Sequence, residues 1–191
     1  MNEVDRIRVA ILIGSTRQGR FAPVVANWFV SYMQTREEFI ADTIDLADAE
    51  LPEVLSWSPQ PPVEKLRSRL AAAEAFVIIT PEYNHSFPAP LKTAIDWYSK
   101  EWRARPVAFV AYGGDAGGLH AVDQLRQVFA ELHSVTVRNA VRFAKAWERF
   151  DEAGRLRDPA RHEKAAGIML DQLAWWGQVL KEGRNIRPYP S

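Results

Sequence analysis

The chain of 191 residues contains no cysteine and no apolar run long enough to cross a lipid bilayer. Without cysteine it forms no disulfide framework and no thiolate metal site. A phosphatase mechanism that uses a cysteine nucleophile is also excluded. The N-terminal sequence MNEVDRIRV is too charged for a signal peptide. We therefore expect a cytoplasmic protein that makes no membrane contact.

The chain also lacks net charge, because 24 basic residues balance 24 acidic ones. Nothing in this balance creates a long-range field that would attract nucleic acid or an anionic membrane. The hydrophobic share of 47% and the chain length suit one globular body with a real core. We therefore expect a single domain that covers residues 1–191.

Five apolar segments are predicted to be strands. The segments between them have apolar residues at helical spacing. The predicted strands cover residues 9–13, 39–46, 75–80, 107–111 and 135–143. Runs such as Val9–Ile13 do not alternate with polar residues, which indicates strands that are covered on both faces. The strand at 39–46 alternates and is expected at an edge. The pattern predicts a flavodoxin-like, three-layer, doubly wound α/β fold with five parallel strands in the order 2-1-3-4-5.

The first polar loop follows the first strand and reads GSTRQGR over residues 14–20. It precedes a predicted helix, and the start of a helix binds anions through free N–H groups and a positive dipole. Arg20 and Phe21 stand where a P-loop needs lysine and a hydroxyl, and no G-x-G pair opens a dinucleotide fingerprint. The loop is therefore interpreted as a holder of a phosphate that does not react. An ordinary surface turn capped by Ser15 is the alternative.

Two further loops follow the third and fourth predicted strands. The first of them begins PEYNHSFPAP at residue 81, and the second, YGGDAGG, covers residues 112–118. Ligands of open α/β sheets bind outside the carboxyl ends of the strands. Glycine pairs also permit close backbone approach to a flat ligand. A proline-rich turn with a helix cap is the structural alternative for the loop at 81.

Together the three loops resemble the NADPH-dependent FMN reductase family, which includes quinone, chromate and azo-dye reductases of flavodoxin-like fold. The motifs that carry the resemblance are GSTRQGR, PEYNHSFPAPLKTAIDW and YGGDAGGLHAVDQLR. The resemblance implies FMN as cofactor and NADPH or NADH as co-substrate. It implies electron transfer in two steps to a small acceptor such as a quinone, a flavin, an azo compound or a metal oxyanion.

The resemblance also implies positions for the cofactor. Ser15 and Arg17 would hold the FMN phosphate, and the loop backbone from Thr16 to Phe21 would assist. Arg20 stands where many relatives have a second serine, and a guanidinium there offers a charge-assisted contact to phosphate. The full set of expected cofactor-binding residues is Ser15, Thr16, Arg17, Gln18, Arg20, Phe21, Pro81, Glu82, Tyr83, Asn84, His85, Gly113 and Gly114.

Residues in the second loop would line the ribityl chain and the edge of the isoalloxazine, with the backbone N–H of His85 directed at the flavin. Gly113 and Gly114 would approach the pyrimidine end of the ring. The cofactor performs the redox step in such enzymes, so we expect no catalytic side chain. We also expect no metal site, because His120, His133 and His162 lack the spacing of metal ligands.

Two other functions fit the same predicted fold. One is a one-electron carrier of the flavodoxin kind, although its T-x-T-G-x-T loop is absent. The other is a flavin-free regulatory module, because a fold does not by itself determine function. Relatives in the reductase family are commonly dimers or tetramers, and Trp57, Trp97 and Trp102 are interpreted as interface aromatics.

Overall fold

The computed structural model describes residues 6–58 and 60–190. Strands and helices alternate along most of the chain, and long apolar segments form the strands. The strands are β1 (Ile7–Ile13), β2 (Phe39–Asp45), β3 (Ala75–Pro81), β4 (Pro106–Gly113), β5 (Val135–Thr136) and β6 (Val141–Ala144). The helices are α1 (Ala22–Met33), α2 (Pro61–Ala72), α3 (Ala89–Asp96), α4 (Leu119–Glu131), α5 (Ala146–Arg149) and α6 (Pro159–Ile186).

The strands form one parallel sheet in the order β2-β1-β3-β4-β5, which confirms the predicted topology. β2 lies at an edge, as its alternating pattern predicts. Strands β1, β3 and β4 are adjacent and parallel, so their carboxyl ends meet at one edge of the sheet. The loops that follow these three strands are consequently brought together.

The predicted fifth strand, residues 135–143, is divided in two. β5 pairs with the start of β4 and β6 pairs with its end. Between them, Arg126 donates hydrogen bonds to the carbonyl oxygens of Val137 and Arg138, at 2.7 and 2.8 Å. Asn139 exchanges two hydrogen bonds with the side chain of Gln172 in α6. These side chains satisfy backbone groups that a continuous strand would pair with its neighbour, and the sheet therefore has six strands rather than five.

Both faces of the sheet are covered, which explains the unbroken apolar runs of β3 and β4. On one face, Val9 and Ile11 of β1 pack in a cluster with residues of α1 and α6. On the other face, Ala10 and Leu12 pack with residues of α2, α3 and α4. Alternate residues of one strand thus enter two separate cores, as expected for a three-layer fold.

The structure corrects the assignment of two tryptophans as interface residues. Trp102 is fully buried, and its Nε1 donates to the carbonyl oxygens of Ile95 and Tyr98. Trp97 is 9% exposed and donates to the carbonyl oxygen of Pro52 at 2.9 Å. A buried indole is stabilised when its N–H finds such a partner. Of the three tryptophans only Trp57 is exposed.

Candidate functional site

The loop after β1 is a cradle of free backbone donors. Gly14 N–H donates to the carbonyl oxygen of Ile79 at 2.8 Å, which holds the start of the loop against β3. Among the described residues, the N–H groups of residues 15–19 donate to no protein acceptor. Helix α1 begins just beyond them, with no side-chain hydrogen bond at its N-cap and no acidic residue in its first turn. Free N–H groups at an uncapped helix start favour an anion.

The two arginines of this loop differ in their partners. Within the described ranges, Arg17 makes no ion pair, and its guanidinium carbon lies 5.9 Å from the centre of the Tyr83 ring. Arg20 donates from Nη1 to the Asp45 Oδ1 at 2.5 Å and from Nη2 to the Asp45 Oδ2 at 2.6 Å. Its Nη1 also donates to the carbonyl oxygen of Ser15 at 2.6 Å. Arg17 is exposed and free for an anion, whereas Arg20 joins the loop to the end of β2.

Three hydroxyl groups from three parts of the chain meet beside this loop. Ser15 is fully buried, and its Oγ lies 3.0 Å from the Tyr83 hydroxyl oxygen. The Tyr112 hydroxyl is buried and makes no hydrogen bond of normal geometry within the described residues. Burial raises the pKa of this phenol above its ordinary value, and the nearby Tyr83 raises it further, while Ser15 and Arg20 oppose the shift. An orphaned buried hydroxyl is costly unless a ligand or water pairs with it.

The loop after β3 contains a two-residue hairpin turn. Tyr83 and Ser86 exchange two backbone hydrogen bonds, at 2.8 and 2.9 Å. Between them, Asn84 and His85 have φ angles of 49° and 63°. Positive φ at both central residues is typical of a type I′ turn. Left-handed backbone at His85 is strained, and such strain is concentrated at functional sites.

Gln124 of α4 holds this turn from the side. Its Nε2 donates to the carbonyl oxygen of His85, and its Oε1 accepts a hydrogen bond from Ser86 Oγ, both at 2.6 Å. The N–H groups of Asn84 and His85 donate to no other group among the described residues. The turn therefore presents two backbone donors at the edge of the sheet.

The glycines after β4 have different structural roles. Gly118 has φ of 87°, and a Cβ there would lie 2.4 Å from the Cβ of Ala111, so only glycine fits. A Cβ on Gly114 would meet no atom within 4 Å. A Cβ on Gly113 would lie 3.3 Å from the Cβ of Glu82. The fold thus requires Gly118, while Gly114 leaves open space beside the loop.

The remaining predicted residues lie around the same edge. Pro81 ends β3 and is buried, and Phe21 packs its ring against Tyr112 and Phe150. Thr16 lines a cavity of about 510 Å³ with residues of the 46–53 segment and the start of α3. Gln18 is exposed. The fold therefore brings the predicted loops together at one edge of the sheet.

Sequence reasoning did not identify Asp45, Gln124 and Tyr112 as parts of this site. Asp45 and Gln124 lie in a strand and a helix whose patterns carry no local signal for their partners. The one available signal was the position of Tyr112 at the start of the YGG motif. Each of these contacts depends on how distant elements pack.

Comparison with known proteins gives consistent results. A family model described as NADPH-dependent FMN reductase matches residues 7–148. The chain is 36% identical over 189 residues to a probable NADPH:quinone oxidoreductase of Oryza sativa, covering 92% of this chain and 95% of that protein. It is 32% identical over 181 residues to an NAD(P)H-dependent FMN reductase of Pseudomonas aeruginosa, covering 88% of this chain and 92% of the relative.

A similar fold occurs in the solved structure of FerB, a flavoenzyme NAD(P)H:(acceptor) oxidoreductase from Paracoccus denitrificans. The TM-score is 0.73 at 23% sequence identity, and the match covers 89% of this chain and 97% of the FerB chain. At this level of identity the similarity is one of fold. None of the helices within residues 6–58 and 60–190 combines the length and the apolar character that a membrane span requires.

Proposed function

The chain belongs to the NADPH-dependent FMN reductase family, and from this membership we propose that its three loops form the binding site for FMN. The protein is accordingly an FMN-dependent NAD(P)H oxidoreductase. The observation that carries the site assignment is the group of N–H donors at residues 15–19, next to the uncapped start of α1. Within the part of the chain that the structure describes, neither these donors nor the Arg17 guanidinium has an acceptor. This arrangement suits a phosphate monoester.

The residues fit FMN in three further respects. The orphaned hydroxyl of Tyr112 lies close to Ser15, where an additional polar partner is required. The N–H groups of the Asn84–His85 turn offer donors to polar atoms at the edge of a flavin. Gly114 leaves room for a flat ring at the third loop. The proposed cofactor-binding residues are therefore those expected from the sequence.

Arg20 differs from the other expected phosphate contacts, because its guanidinium forms two hydrogen bonds with the Asp45 carboxylate. We propose that it supports the phosphate site indirectly, by donating a hydrogen bond to the carbonyl oxygen of Ser15. Direct contact with the phosphate is the alternative, and the two roles predict different effects of Arg20→Ala on FMN and riboflavin binding.

When bound, FMN supplies the chemistry that accepts a hydride and passes electrons on. The chain's own residues bind the phosphate, orient the ring between the loops and leave one side accessible. We propose a quinone or a flavin as the acceptor class, with azo compounds and metal oxyanions as further candidates. The names of the quinone oxidoreductases among its relatives favour a quinone.

Anaerobic titration with NADPH and with NADH, followed by a panel of acceptors, tests this function. We expect the bound flavin to lose its visible absorbance and a quinone to restore it. Failure to bind FMN would favour a flavin-free module. Bound flavin that neither nucleotide reduces would favour a one-electron carrier.

We also propose that the chain is one flavin-binding domain that assembles into a homodimer or homotetramer. Val54, Leu55 and Trp57 are exposed in the segment between β2 and α2 and offer apolar contact surface. Size-exclusion chromatography with light scattering tests this assembly, and a monomer would contradict it. A cytoplasmic location remains a prediction, supported by the need for reduced nicotinamide nucleotide.

A further inference from the structure

Two histidines and a glutamate meet beside the hairpin turn at Asn84–His85. Glu82 follows β3 directly, His85 is in the turn, and His120 lies in the first turn of α4. Their ligand atoms, one from each residue, all lie within 4.8 Å of one another. Glu82 and His120 are half-buried and His85 is exposed. The cluster is therefore accessible from solvent.

The imidazole rings of His85 and His120 are stacked. Their centres lie 4.0 Å apart and the planes differ by 7°. The in-plane lone pairs of two parallel imidazole rings point in parallel directions. The rings must therefore turn about their Cβ–Cγ bonds before both can coordinate the same metal ion. Donor atoms around a tetrahedral Zn²⁺ lie roughly 3.4 Å apart when each bond is about 2.1 Å long. The required closure is therefore no more than about 1.4 Å for any pair, the difference between that spacing and the 4.8 Å limit.

Neighbouring hydrogen bonds already hold two of the three groups in place. The backbone N–H of His120 donates to the Glu82 Oε2 at 3.1 Å, which orients the carboxylate and leaves Oε1 available. Gln124 holds the carbonyl oxygen of His85 at 2.6 Å, which anchors the backbone that carries the imidazole. Such supporting contacts around ligands are typical of metal sites.

We propose that Glu82, His85 and His120 form a binding site for a divalent transition-metal ion, with Zn²⁺ as the reference ion. Imidazole nitrogen suits Zn²⁺, Cu²⁺ and Ni²⁺, and one carboxylate completes a set of two histidines and one acid. Three protein ligands leave at least one coordination position open to water or an anion. The ion would join the turn after β3 to the start of α4.

This proposal differs from the absence of a metal site expected from the sequence. His85 and His120 are 35 positions apart, so no local spacing of ligands connects them. The pairing arises because β3 and β4 are adjacent, which places the loop after β3 beside the helix after β4. The proposal is independent of the assignment of FMN, although Glu82 and His85 also belong to the proposed flavin-binding loop.

Equilibrium dialysis of the untagged, FMN-loaded protein against Zn²⁺, with metal measured by atomic absorption, tests the site. We expect one tightly held Zn²⁺ per chain. His120→Gln should weaken zinc binding by at least about tenfold, since even loss of a supporting group has an effect of that size. His85→Asn should do the same, and asparagine tolerates the positive φ at this position.

His133→Asn is the matched control, because His133 also has positive φ and lies away from the cluster, against Tyr189. It should bind Zn²⁺ as the unaltered protein does. Zinc should raise the melting temperature of the unaltered protein and of His133→Asn by the same amount, and that of His120→Gln by clearly less at the same zinc concentration. Absence of bound Zn²⁺ would overturn the proposal, and so would zinc binding by His120→Gln and His85→Asn that is as tight as binding by the unaltered protein. Failure to bind FMN with zinc binding intact would instead count against the flavin assignment alone.

Discussion

The Arg20 guanidinium and the Asp45 carboxylate form two parallel hydrogen bonds, of 2.5 and 2.6 Å, between the phosphate loop and the end of β2. Both side chains are largely buried, with 17% and 20% of their surface exposed. The same Arg20 holds the carbonyl oxygen of Ser15, whose hydroxyl meets Tyr83. A residue of the edge strand therefore influences the shape of a loop that follows β1.

Replacement of Arg20 by alanine should loosen the loop. We expect the free energy of unfolding to fall by about 1–2 kcal/mol, because the charge-assisted bonds are lost at a largely buried site that solvent still partly screens. FMN and riboflavin affinities should fall by similar factors, because the effect acts through loop position. Urea unfolding and fluorescence titration measure these quantities. A loss confined to FMN would instead show that Arg20 contacts the phosphate.

Arg17→Ala should weaken FMN binding selectively. Loss of charge-assisted hydrogen bonds of roughly 1.5–3 kcal/mol corresponds to about one to two orders of magnitude in affinity. Riboflavin lacks the phosphate, so its affinity should be unchanged. Arg161→Ala in α6 removes another exposed arginine and serves as the control. An unaltered FMN dissociation constant would mean that the phosphate binds elsewhere.

Gly114→Ala should lower FMN affinity, whereas Gly118→Ala should lower the stability of the fold. A methyl group on Gly114 meets open space, so stability should be unchanged while FMN affinity falls through contact with the ring. A methyl group on Gly118 would lie 2.4 Å from Ala111 Cβ at a φ of 87°, so the fold should be destabilised by more than about 2 kcal/mol. Thermal unfolding and flavin titration separate the two effects. Normal FMN affinity in Gly114→Ala would contradict the placement of the ring.

Gln124→Leu should release the hairpin turn without altering helix α4. The substitution preserves approximate side-chain size and removes the hydrogen bonds to His85 and Ser86. Together those two bonds are worth about 1–3 kcal/mol, so FMN affinity should fall by about fivefold to 150-fold. Gln127→Leu on the same helix is the comparison to run, because Gln127 is exposed and its side chain makes no hydrogen bond to the loops within residues 6–58 and 60–190. Equal affinities in the two variants would exclude a role of Gln124 in the site.

His162 should make stability dependent on pH. It stacks on Phe143 with centres 4.5 Å apart, and burial lowers its pKa below the ordinary value of 6.5. As the pH falls through 6.5, the unfolded chain therefore binds more protons than the folded chain. The free energy of unfolding decreases with falling pH until the pH is below the pKa of His162 in the folded chain. His162→Phe should flatten this part of the stability profile, measured by urea unfolding between about pH 5 and 7.5. An unchanged slope would show that other groups cause it.

Much of the fold follows from local patterns. The apolar run of β3 and the helical spacing of Leu119–Glu131 can be read without knowledge of the tertiary structure, because burial on two faces and on one face leave different periodicities. The interruption of the last strand was not predicted, because Arg126 and Gln172 replace the hydrogen bonds of the ladder from other elements. The interface location predicted for Trp102 was wrong for a similar reason, because tryptophan is common both in protein cores and at interfaces and the local sequence does not distinguish the two.

By itself the sequence determined the order of the elements, the three loops and the family to which the chain belongs. Tertiary structure alone decided which partners those loops meet: Asp45 for Arg20, Gln124 for the hairpin turn, and His120 for His85. The physical reason is that the periodicity of a strand or helix is visible in neighbouring residues of the sequence. These contacts instead join residues 25 to 39 positions apart, which become neighbours only because of the order of the strands in the sheet.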